Sequence, residues 1–186
     1  VMQDTFLMHI STSPYYPLLA GLEMNAFMHK EKGAILWKKA FLSATRFKKA
    51  LLKETTLFKP FLPPLVHGRK WEEEKTSVLM EDAAFFTLGP DETWHGFDGS
   101  ATDLCLLDPC KILLTTGTFS KSRKHSIPAP LLSAYLERKG ITPEKSDFYT
   151  LLFLAEPGDT KKKYKYLMHW LKQFEKAYFQ NCPMDR

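Results

Sequence analysis

Apolar positions follow a helical period up to about residue 54 and a mixed, mostly shorter one after it. Over residues 14–30, Tyr15, Leu18, Leu19, Leu22 and Ala26 recur at helical spacing, which predicts a mostly apolar, well-buried helix. Gly33 is expected to break it. A second helix is expected over 34–53, with Leu36, Ala40, Ala44, Phe47 and Leu51 as its buried stripe and Lys38, Lys39, Arg46, Lys49 and Lys53 largely outside it. A helix of that length suits a link between two structural layers.

From Thr55 the texture changes. Pro60, Pro63 and Pro64 exclude a helix interior, because proline lacks the N–H and clashes with the preceding turn. Glu72, Glu73 and Glu74 read as a surface loop or strand edge. Residues 76–88, with Val78, Met80, Phe85 and Phe86, look strand-like, as do 104–107 and 112–116 on either side of Asp108-Pro109, a pair that must interrupt a central ladder. Residues 117–127 form a polar loop. Pro128 opens a helix to about Lys139, and Gly140 stands just past its end, the usual Pro-start and Gly-stop asymmetry. Residues 149–155 form an apolar run of strand length. A last helix is expected over 160–180, with Tyr164, Leu167, Met168, Leu171, Phe174 and Tyr178 on one face. Strands followed by helices make the second half an α/β or α+β unit.

Composition narrows the classes. The chain has 186 residues, 44% of them apolar, enough for one sizeable domain or two small ones. No apolar run approaches the ~18 residues of a membrane span, and no signal peptide is visible at the start. The first residue is Val1 rather than Met, which is read as a sign of a fragment. Cys105, Cys110 and Cys182 form no CxxC pair, which favours a reducing compartment over a structural zinc site. The net charge of +5 is modest, and the lysine clusters (Lys38, Lys39, Lys48, Lys49 and the run Lys161, Lys162, Lys163, Lys165) are expected on solvated helix faces.

Candidate chemistry is sparse. His9-Ile10-Ser11-Thr12-Ser13-Pro14-Tyr15-Tyr16-Pro17 sets three hydroxyls immediately before a helical pattern. That is either an ordinary N-cap or an anion site built from unsatisfied N–H donors, hydroxyls and the helix dipole. Trp94-His95-Gly96-Phe97 is either a tight glycine turn between packed rings or a histidine facing a ligand beside two aromatics. Asp108 and Lys111 flank a bend and read most simply as a turn with a local ion pair. No histidines pair at metal spacing, so no metal site is expected, and no nucleophile elbow or glycine-rich phosphate loop is present.

Taken in order, these segments resemble the bacterial-type ornithine/lysine/arginine decarboxylases, pyridoxal-phosphate enzymes of the aspartate-aminotransferase fold. The resemblance is carried by Phe6-Leu7-Met8-His9 leading into Ser11-Thr12-Ser13-Pro14, then Tyr16-Pro17, Trp94-His95-Gly96-Phe97, Leu107-Asp108-Pro109 with Lys111, Ile127-Pro128-Ala129, Glu144-Lys145, and Tyr149 running into Leu151-Leu152-Phe153-Leu154. In motif it stands nearest the lysine and arginine members. It implies an α/β (α+β) fold: residues 1–54 would end the large cofactor domain, and 55–186 would form a small domain with a mixed sheet and flanking helices. It implies pyridoxal 5′-phosphate as cofactor of the full-length parent, with Ser11, Thr12 and Ser13 contacting its phosphate across a subunit interface. It implies Ala84, Trp94 and His95 in the substrate-pocket wall.

The family's Schiff-base lysine belongs to a Ser-x-His-Lys motif upstream of the hydroxyl segment; His29-Lys30 lies on the wrong side of that segment. No catalytic residue is therefore expected in this chain, and in isolation it should be inactive. Ala84 stands where the family carries a glutamate, and Thr115-Thr116-Gly117 where it carries Thr-Pro-Gly. The expected parent releases CO2 from lysine, ornithine or arginine as a cytoplasmic homodimer or higher oligomer serving polyamine supply or acid resistance. No nucleic-acid or membrane partner is expected. The alternative is a non-catalytic truncated homologue acting as a regulatory or interaction module.

Overall fold

The computed structural model describes residues 15–90, 92–97, 105–117 and 126–180. The chain divides into two compact units, residues 1–36 and 37–186.

The described part of the first unit is helical. It opens α1 (Tyr16–Glu54), which runs unbroken through Gly33. The expected break fails for a physical reason. A terminating glycine takes positive φ, and Gly33 is not among the positive-φ glycines. A lone interior glycine costs only about 1 kcal/mol against alanine, and helix formers flank it on both sides. The expected burial fails too: Leu22 is 58% and Phe27 62% exposed, with Tyr16, Leu18, Leu19 and Met24 also exposed. These side chains point all round the axis, and a single helix cannot cover itself.

In the second unit, α1 from Trp37 onward buries Ala40, Ala44, Phe47 and Leu51 as its stripe predicts. The chain then forms β1 (Lys59–Pro60), the hairpin β2 (Leu65–Val66) and β3 (Arg69–Lys70), α2 (Thr76–Glu81), and a 3-10 helix (Ala83–Phe86). After these come β4 (Thr87–Leu88), β5 (Cys105–Leu106), β6 (Lys111–Thr115), α3 (Ala129–Glu137), β7 (Lys145–Ser146), β8 (Thr150–Leu154) and α4 (Lys161–Phe179). The main sheet has the order β1-β6-β8-β7, and every described pairing in it is antiparallel rather than mixed, with Lys111 opposite Leu154 and Thr115 opposite Thr150.

The strand-like reading of residues 76–86 is corrected. Phe85 and Phe86 are neighbours and both buried, whereas successive residues of a strand point to opposite faces. Leu79, Phe85 and Phe86 are buried, with Asp82 as the hinge between α2 and the 3-10 helix. The sheet packs against α1, α3 and α4 through one core that includes Leu51, Phe58, Ile112, Leu132, Leu151 and Phe174. A second, smaller core gathers Leu62, Val66, Trp71, Leu79, Phe85 and Phe86. The helix after Pro128, the positive φ of Gly140 and the buried face of α4 stand as expected.

Candidate functional site

Ser11, Thr12 and Ser13 lie outside the described residues. Just after them, α1 begins at Tyr16 with no acidic residue in its first turn, so no side-chain carboxylate there offsets the positive end of the helix. Leu18 and Leu19 direct their N–H groups to the Tyr15 carbonyl at 3.0 and 3.2 Å.

The other expected site residues sit in the second unit. Ala84 lies in the 3-10 helix, half-buried against the smaller core. Its N–H donates to Asp82 Oδ1 at 3.0 Å, so that carboxylate serves as the helix cap. Trp71 Nε1 donates to the Phe85 carbonyl at 3.1 Å, and the Trp71 and Phe41 rings meet Phe86 edge-on at 5.9 and 5.6 Å. This segment borders a cavity of about 320 Å3 lined by Phe41, Met80, Glu81, Phe86, Leu107 and Pro109 among others.

Trp94 and His95 come together in a separate loop. Trp94 Nε1 donates to Glu92 Oε2 at 2.9 Å, and the same oxygen accepts the Gly89 N–H at 3.0 Å. The Trp94 ring lies 5.1 Å from Phe61 and meets His95 edge-on at 5.3 Å. His95 is 3% exposed. The Phe97 N–H donates to its Nδ1 at 3.1 Å, and its Nε2 lies 2.9 Å from the Gly89 carbonyl. An Nδ1 that accepts leaves Nε2 to carry the proton in the neutral ring, so both nitrogens are committed to backbone. Gly96 holds φ of 73°, which glycine adopts without penalty, and Phe97 stacks on the His95 ring. The glycine turn between packed rings is what the local geometry builds.

Lys48 is the residue that the pattern of charges misplaced. Expected on a solvated face, it is 2% exposed. Its Nζ donates to the Pro109 carbonyl at 2.7 Å and sits 5.4 Å from the centre of the Phe86 ring. Burial drives its pKa down to about 8, against the opposing pull of Cys110 and Asp108. Position 48 follows the buried Phe47 and precedes Leu51 by three, so it belongs to the edge of the same stripe; that was the available signal. Asp108 Oδ1 accepts the Cys110 N–H at 2.8 Å, and Oδ2 lies 3.8 Å from Lys111 Nζ, the expected turn with its ion pair. Burial pushes the Cys110 thiol pKa up, with Asp108 adding to it, which disfavours the reactive thiolate.

Among the described residues no group of three or more potential ligands is placed to hold a metal ion, and no helix is long and apolar enough to cross a membrane.

Comparison with known proteins agrees over nearly the whole chain. A sequence profile described as Orn/Lys/Arg decarboxylase, major domain, matches residues 1–163. The constitutive ornithine decarboxylase of Escherichia coli (strain K12) is 41% identical over 98% of this chain and 26% of its own length. Lysine decarboxylase LdcA of Pseudomonas aeruginosa is 34% identical over 97% of this chain and 24% of its own. The solved structure of the E. coli constitutive lysine decarboxylase superposes with a TM-score of 0.74 at 30% identity, covering 96% of this chain and 24% of that one. The chain thus spans about a quarter of the length of these relatives. With the family profile matched over residues 1–163 and a relative 41% identical over 98% of this chain, it belongs to the Orn/Lys/Arg decarboxylase family.

Proposed function

We propose that this chain is part of a pyridoxal-phosphate-dependent decarboxylase that converts a basic amino acid to a diamine, or to agmatine from arginine, plus CO2. The observation that carries the reading is the 41% identity to an ornithine decarboxylase across 98% of the chain. Ornithine is the favoured substrate, in place of the lysine or arginine that the motifs pointed to, since identity to the lysine enzymes LdcA and the E. coli constitutive form is 34% and 32% and to an arginine enzyme 28%. In this reading residues 1–54 end the large cofactor domain and 55–186 form the small one.

The cofactor, when bound, supplies an electron sink for the pair left behind as the α-carboxylate departs. The chain's own residues do the holding. Ser11, Thr12 and Ser13 would hold the phosphate of the partner subunit's cofactor; the donor set, three hydroxyls ahead of an acid-free helix start, suits a phosphate. Trp94 forms pocket wall, and His95, with both nitrogens bonded to backbone, fixes the ring beside it rather than moving a proton. Ala84, on the 3-10 helix against the smaller core, offers only a methyl group where the family carries a glutamate. The parent works in the cytoplasm as a homodimer or larger assembly and serves polyamine supply.

A second reading, a non-catalytic homologue acting as an interaction module, draws on Ala84. No carboxylate stands at that position, and the neighbouring Asp82 carboxylate is occupied as a helix cap.

The test uses the complete reading frame. The purified protein should retain a cofactor with visible absorbance and release CO2 from ornithine faster than from lysine or arginine. Ser11→Ala should weaken cofactor retention; unchanged affinity moves the phosphate contact elsewhere. A complete protein that holds no cofactor and releases no CO2 from any of the three sinks the enzyme reading in favour of the second.

A further inference from the structure

Between α1 and α4 the second unit carries a groove of about 510 Å3 that the decarboxylase reading does not use. Its α1 wall is Ser43, Phe47, Ala50 and Glu54, and its α4 wall is Lys161, Lys165, Met168 and Lys172. Both sets are spaced i, i+4, i+7, i+11, which is one straight stripe on each helix. Eleven residues of helix rise about 16 Å, three turns. The floor is apolar, built by Phe47, Ala50 and Met168, and Phe47 meets the Tyr164 ring at 5.5 Å. Two facing stripes at this spacing present the holes that a third helix fills.

The rim is cationic. Arg46, Lys161, Lys165 and Lys172 line the groove against one carboxylate, Glu54, and that carboxylate is paired with Lys172 at 3.0 Å. Arg46, Lys161 and Lys165 have no ion-pair partner among the described residues. Lys161, Lys162 and Lys163 occupy the first turn of α4, which has no acidic residue and no side-chain cap. Cations at the positive end of a helix dipole are unfavourable, and among the described residues only Lys163 of the three has an ion-pair partner, Asp159 at 2.8 Å. An anionic partner would offset the lysines and the dipole together.

We propose that this groove docks an acidic amphipathic helix of a partner protein, with its leucine-type face on Phe47, Ala50 and Met168 and its carboxylates on Arg46, Lys161 and Lys165. The cations are strung along about three turns rather than converging on one point, which suits a helix better than a compact anion. The apolar floor suits a side-chain face better than a phosphodiester backbone. The inference stands on this groove alone and is independent of the decarboxylase reading.

The probe is a fluorescein-labelled synthetic helix of about four turns, with leucine on one face and glutamate flanking it, titrated into the full chain by anisotropy. A glutamate/alanine peptide lacking leucine and a single-stranded oligothymidylate serve as competitors. Binding is expected for the leucine-bearing peptide and should weaken with added salt. Lys161→Glu/Lys165→Glu should weaken it by about tenfold or more, while leaving Tm unchanged or raised because the dipole clash is relieved. Ala50→Gln, which fills the floor, should also weaken it. Three results overturn the proposal: affinity that survives both sets of changes, equal competition by the leucine-free peptide, or equal competition by the oligonucleotide.

Discussion

The Lys48 ammonium is buried where it has one carbonyl, that of Pro109, and one ring face, that of Phe86. Its pKa is about 8 in the folded chain against 10.5 for an ordinary lysine. The shift is downward, so the charged form is what folding disfavours, chiefly through desolvation. Below about pH 8 both folded and unfolded chains are protonated and the cost is present in full. Between about 8 and 10.5 the unfolded chain binds more protons, so this residue's contribution to stability rises with pH. The expected measurement is a urea midpoint difference between wild type and Lys48→Met that grows in favour of wild type across that window and is flat below it. A constant difference from pH 6 to 10 contradicts the assignment. His95 offers a second test. His95→Phe keeps the ring beside Trp94 and Phe97 but leaves the Gly89 carbonyl and the Phe97 N–H without their partner, and should cost about 2 kcal/mol in urea unfolding.

At the scale of elements, one carboxylate ties the turn after α1 to the last helix. Glu175 Oε1 on α4 accepts the N–H of Thr56 at 2.7 Å and that of Leu57 at 2.9 Å, together with the Thr56 hydroxyl. Three donors on one charged oxygen should make Glu175→Ala cost about 2–3 kcal/mol, with Glu175→Gln recovering part of it; equal losses in both would show that only side-chain volume matters. Nothing in the sequence signals this contact, because its partners stand nearly the whole second unit apart. The helix that carries Glu175 was legible, since α4 keeps a single apolar face from Leu167 to Phe174. So were β6 and β8, each a short apolar run beside a turn. Residues 76–86 were not, because a six-residue helix and a 3-10 turn leave too few periods to tell from a strand. Of the candidate site, the turn at Gly96 was readable from its glycine. The bonds from His95 to Gly89 and from Trp94 to Glu92 were not, since they depend on how the loop folds back on itself.

For the molecule as a whole, the decisive fact is how much apolar side chain the first unit leaves in water. Tyr16, Leu18, Leu19, Leu22, Met24, Phe27 and Met28 are all exposed on α1 before residue 37. Single exposed leucines are ordinary, but this many large apolar side chains exposed round one helix favour association with other apolar surface. In the 186-residue chain alone, the expected consequence is concentration-dependent self-association in sedimentation, despite the net charge of +5 that otherwise favours dispersal. Leu19→Gln/Leu22→Gln should shift the population toward monomer. It should leave the unfolding midpoint of the second unit within about 0.5 kcal/mol of wild type, because these side chains belong to neither of its cores. A chain that stays monomeric at every concentration, or a double variant that associates as strongly as wild type, would mean that these side chains drive no association.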